Sequence, residues 1–155
     1  MVTSLTSILL GALALLLLYA SYGDLKARTI PNSLNIAIAL LAIPFWWASG
    51  LAPWPDMALQ VGVAVLAFVF FAGAFALGAM GGGDVKLIGA IALWLPWPAL
   101  LLMLVIMSLA GGALTLALMI RKKLARTEGP LEIPYGVAIA AGAILTLAVQ
   151  LSVSG

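Results

Sequence analysis

Apolar runs between short polar breaks dominate the chain. A helix needs roughly 17–25 apolar residues to cross about 30 Å of hydrocarbon, and each run can be measured against that length. The first covers residues 5–22 and is broken by "DLKARTIPNS". The second covers 34–48 and ends at "SGLAPWPD". A third, 57–80, is apolar except for Gln60 and carries Gly62, Gly73 and Gly78, small residues that let helices approach closely. Residues 85–120, 36 in number, carry one charge, Lys86 at their start; they are too many for one ordinary helix and few for two. Within them "LWLPWPAL" has two prolines flanking a tryptophan, the mark of a turn at an interface. The pattern therefore predicts a short fourth helix over 85–95 and a fifth over 99–120. "RKKLARTEGPLEIP" follows, then a sixth run over 135–153. With no internal repeat or low-complexity tail, the expectation is an all-α protein of six transmembrane helices, forming one domain over 1–155.

Composition agrees. The chain is 65% hydrophobic and 8% charged, against about 25% charged for a soluble domain. That is too little charge to coat a globule, so most of the surface must face lipid, and the chain reads as a polytopic membrane protein. No Lys or Arg precedes the first run, as a cleaved signal peptide would require, so it is expected to be a retained span. Six spans bring both ends to one face and the loops 23–33, 81–86 and 121–134 to the other. Those loops hold Lys26, Arg28, Lys86, Arg121, Lys122, Lys123 and Arg126, every Lys and Arg in the chain, while the opposite face has only Asp56. Basic excess marks the cytoplasmic side, so both termini are expected outside. A single span over 85–120 would export the Arg121 cluster and is rejected by the same rule.

There is no cysteine and no histidine. Disulfides, the usual zinc sites, Ser-His triads and Cys-His dyads are excluded. Chemistry must come from five acids, seven bases, hydroxyls and backbone. No metal, cofactor or nucleic-acid partner is expected.

Among the acids, Glu128 and Glu132 lie in a basic, hydrated loop and read as solvated charges. Asp56 follows Pro55 and precedes a span, which suits a helix N-cap or an interface anchor. Asp24 and Asp84 are different, because each lies within a residue or two of an apolar run at the cytoplasmic end. A carboxylate at membrane level is expensive and is a functional hypothesis by default. Two at one depth invite the aspartic-protease arrangement, in which like-charge repulsion makes the pair share one proton. One then acts as base on a water and the other donates to a substrate carbonyl. The plainer alternatives are an N-cap role for Asp84 and pairing of Asp24 with Lys26 or Arg28. "GGGD" argues for more than a cap, since glycine costs helix propensity. Gly81, Gly82 and Gly83 allow a break at the membrane surface, where irregular backbone is tolerated if it lines a polar cavity. They also leave room for an extended peptide beside Asp84.

These residues resemble the type IV prepilin (leader) peptidases. "DLKARTIPN" is similar to that family's first motif, an aspartate followed at fixed spacing by Ile-Pro-Asn. "GGGD" resembles its second, Gly-x-Gly-Asp, and "PYGVAIAAG" (134–142) a third stretch at the start of the last helix. The resemblance implies an aspartic endopeptidase of the bacterial cytoplasmic (inner) membrane. Such an enzyme removes a short basic leader from prepilin or pseudopilin substrates at the cytoplasmic face. It implies Asp24 and Asp84 as catalytic, with Gly81, Gly82, Gly83, Lys86, Pro31, Asn32, Pro134, Tyr135 and Gly136 shaping the site. Longer members carry a further region with paired cysteines, associated with N-methylation; this cysteine-free chain resembles the short form of Flp/Tad-type systems, without methyl transfer. Presenilin-like proteases share Gly-x-Gly-Asp, but "IPN" after Asp24 and the small size argue against them. A small ion- or proton-coupled transporter using the two aspartates is the alternative, and a purely structural membrane protein a third.

Overall fold

A computed structural model describes residues 4–154. They form six α-helices: α1 (Ser4–Ala27), α2 (Asn32–Ala48), α3 (Ala58–Ala76), α4 (Gly82–Ala92), α5 (Trp97–Ala125) and α6 (Tyr135–Ser154). A single wide turn, Pro53–Met57, leads into α3. Among the described residues there is no strand. With that turn, α3 joins α1, α5 and α6 as the four helices long and apolar enough to cross a membrane, while α2 and α4 are shorter. Six crossings remain compatible with this arrangement, because α4 runs antiparallel along α3. Gly82 meets Phe75, and Gln60 meets Leu95. The stretch of α3 between those contacts is about 22 Å long.

Helix ends differ from the apolar runs in an instructive way. α1 continues past residue 22 through "GDLKA", because backbone hydrogen bonding is indifferent to hydropathy. Lys26 also suits the negative end of the helix dipole. Arg28 then turns left-handed (φ 52°), with its amide donating to the Asp24 carbonyl. Asp24 thus stands on the last turn of a helix, outside any loop. At its other end the third run stops early, at Ala76, and the chain reverses at Gly78 with φ 73°. The break therefore precedes "GGG". Gly81 is the extended residue before α4, and Gly82 and Gly83 are already helical. Asp84 is the third residue of α4, so the N-cap alternative for it falls. Asp56 also does something other than capping α3: it reaches back to accept the Ala52 amide at 3.0 Å, closing the wide turn.

The surface is inverted relative to a soluble protein. Leu15, Leu66, Phe70 and Leu109 are exposed, while the fully buried side chains include Leu13, Leu17, Ile38, Leu87, Ile88 and Ile91. Only Ala64 is buried along α3, so that helix faces outward almost all round. α4 is its opposite, enclosed by α2, α3 and α6. A helix ending deep inside an apolar bundle leaves carbonyls that water cannot reach. Here Gln60 Nε2 donates to the Ala92 and Leu95 carbonyls at 2.7 and 2.5 Å. Trp46 Nε1 donates to the Leu93 carbonyl at 2.7 Å, and Trp94 Nε1 to the Ile38 carbonyl of α2 at 2.9 Å. The one polar residue of the third run is thus the cap for the buried end of α4.

Candidate active site

Three connections meet at the basic end of the bundle: 28–31 after α1, 77–81 before α4, and 126–134 before α6. Between them lies a cavity of about 480 Å³, lined by Asp24, Arg28–Ile30, Gly81–Asp84, Glu132, Ile133 and Tyr135. The last turn of α1 supplies one carboxylate and the first turn of α4 supplies the other. They are close enough for the charge of Asp24 to act on Asp84.

Asp24 is 6% exposed. The first amides of α6, at Gly136 and Val137, approach its carboxylate, yet Oδ2 has no hydrogen-bond partner. The closeness of α6 depends on Gly136. A Cβ there would stand 2.9 Å from both Cγ and Oδ2 of Asp24, closer than real side chains come, and 3.0 Å from Ile30 Cδ1. Asp84 is less enclosed. Its carboxylate folds back over Gly81, with Oδ2 3.2 Å from where a Cβ would be.

The glycines before Asp84 line the cavity beside it, and two of them also pack against neighbouring residues. Gly83 packs on Ile30, with its absent Cβ 3.4 Å from the Ile30 Cβ and 3.7 Å from that residue's backbone N and O. Gly82 faces the ring of Phe75. Their lack of side chains lets the segment after α1 lie on the start of α4, which is what brings the two carboxylates to one cavity.

The remaining predicted residues divide. Pro31 ends the turn and precedes α2, its carbonyl accepting the amides of Leu34 and Asn35. Pro134 is buried at the entry to α6, and Tyr135 lines the cavity. Asn32 and Lys86 do not line it. Lys86 Nζ donates to Asn32 Oδ1 at 2.9 Å, and both belong to a separate groove between α2, α3 and α4. Thr29 and Ile133 line the cavity without having been singled out from the sequence, Thr29 marked only by its place inside the "DLKARTIPN" motif. Ile30, from the Ile-Pro-Asn of that motif, and Arg28, read as an alternative partner of Asp24, line it too. Glu132, read as a solvated charge, is indeed exposed but lies at the rim, its Oε2 3.8 Å from Arg28 Nε. A pair so exposed contributes at most about 1 kcal/mol.

No curated protein and no solved structure matches the chain. The family model of the type IV leader peptidase family does, over residues 11–116. That stretch contains both cavity carboxylates and ends before the third motif at 134–142. It spans more than half of the chain, which accordingly belongs to the type IV leader peptidase family.

Proposed function

We propose that the protein is a prepilin-type leader peptidase in which Asp24 and Asp84 activate water. The observation that carries this reading is that both acids, 60 positions apart in sequence, line one cavity at the basic end of an apolar bundle. Two neighbouring carboxylates resist ionising together, so the pair holds one shared proton. The ionised member takes a proton from a water, whose oxygen attacks the scissile carbonyl carbon. The protonated member donates to the carbonyl oxygen, giving a tetrahedral diol. Collapse breaks the C–N bond as a proton passes to the leaving nitrogen, and the pair returns to its starting state. No group beyond water is consumed.

The substrate class follows from where the cavity lies. A leader peptide with basic residues ahead of an apolar helix has its cleavage point at the membrane surface, level with the end of the bundle that carries every Lys and Arg. By the basic-excess rule this end is cytoplasmic, which makes the protein a multi-pass enzyme of the inner membrane. The absence of cysteine from the chain supports cleavage without subsequent N-methylation.

The test is processing of a candidate prepilin by the purified protein in detergent or liposomes. Wild type is expected to release the leader. Asp24→Asn and Asp84→Asn are each expected to insert normally and release none, because an amide keeps the shape but cannot act as a base. Substantial cleavage by either variant refutes the pair.

A further inference from the structure

On the far side of α4 from the carboxylates, α2 and α3 stand apart and leave a groove of about 470 Å³. Its walls are Ile36 and Ala39 of α2 and Val61, Val65 and Phe68 of α3, and its floor is Gly89, Ala90 and Leu93 of α4. Polar groups occur only toward the basic end. Lys86 and Asn32 are exposed at the mouth, hydrogen-bonded to each other. One helical turn deeper, Asn35 lines the groove at 5% exposure, and neither its Nδ2 nor its Oδ1 has a partner. A buried amide with nothing to bond is costly, and its place in a groove open to the bilayer says what could satisfy it.

We infer that this groove is a binding site for one anionic phospholipid. The headgroup phosphate accepts from the Lys86 ammonium and the Asn32 amide. An ester carbonyl one turn deeper lies against Asn35, whose Nδ2, enclosed in this structure, reaches it by rotation of the side-chain amide, and an acyl chain runs along the apolar remainder. Charge supports this occupant, since Lys86 is the one ionised residue lining the groove. The apolar walls run from Val61 to Phe68, about 10 Å, a path that an acyl chain can follow.

The test is native mass spectrometry of the purified chain with phosphatidylglycerol, phosphatidylcholine or inorganic phosphate, with circular dichroism to verify folding. Wild type is expected to retain phosphatidylglycerol about tenfold better than phosphatidylcholine, whose phosphate accepts the same bond but whose choline sets a second cation a few ångströms from Lys86, and to retain no free phosphate. Lys86→Gln removes that preference and Lys86→Arg keeps it. Asn35→Leu weakens retention of both lipids, and Ala39→Trp, which fills the groove without touching its polar groups, does the same. Lys123→Gln, outside the groove, changes nothing. Equal retention by wild type and Lys86→Gln overturns the site, as does binding of phosphate alone. Crosslinking of an apolar substrate helix to position 39, with lipid retention insensitive to Lys86, would instead make the groove a substrate surface. None of these readouts involves cleavage, so failure here leaves the peptidase reading standing.

Discussion

Asp24 shows how much of the site rests on single atoms. Its carboxylate is covered by α6 only because residue 136 has no Cβ. Gly136→Ala must push the carboxylate or α6 aside, and a displacement of about 1 Å in a catalytic group costs on the order of 100-fold in rate. We expect leader cleavage to fall by about that factor while the protein stays helical. Gly112→Ala, whose Cβ would meet open space, should cleave normally. Gly83 gives a finer test. Its Cβ would make an ordinary contact with Ile30, so Gly83→Ala should be nearly silent, whereas the methyls of Gly83→Val collide with Ile30 and should remove most turnover. Rescue of Gly83→Val by Ile30→Ala would identify packing as the cause; persistence of the defect would return the glycine to the role of clearing a path for substrate. The motif residues were legible in the sequence. That Gly83 faces Ile30 was not, because it depends on which helix the turn after α1 lies against.

At the scale of the element, α4 is the informative case. Its short length was readable from the prolines around Trp97, but its first residue was set three positions late. Hydropathy marks where a chain becomes apolar, whereas helix starts are set by where the backbone leaves extended geometry, here at Gly81. Likewise α1 and α5 overrun their apolar stretches into Lys- and Arg-bearing turns, which favour helix C-termini. The buried end of α4 carries a stability prediction. Gln60→Leu leaves the carbonyls of Ala92 and Leu95 unpaired, at about 1–3 kcal/mol for each buried group. A lowered midpoint of thermal unfolding in detergent should report it, and Trp46→Phe, which orphans one carbonyl at Leu93, should have a smaller effect. No change in either variant would mean that water reaches the end of α4.

For the molecule as a whole, the orientation proposed from charge is directly testable because the chain has no native cysteine. Single cysteines replacing Thr127 and Ser49 should be labelled by an impermeant reagent from opposite sides of the membrane, Thr127 from the cytoplasm. Labelling of both from one side would overturn the six-crossing arrangement. The sequence by itself determined that the chain lives in lipid, that it is all helix, and that its bases share one end. These follow from composition and run length, which every apolar chain must reconcile with a bilayer of fixed thickness. Only the tertiary structure decided that Asp24 and Asp84 line a common cavity, that Gly136 closes over one of them, and that Lys86 and Asn32 face a different groove. Those facts depend on which faces of six apolar helices meet, and helices that are apolar nearly all round carry no stripe from which that choice could be read.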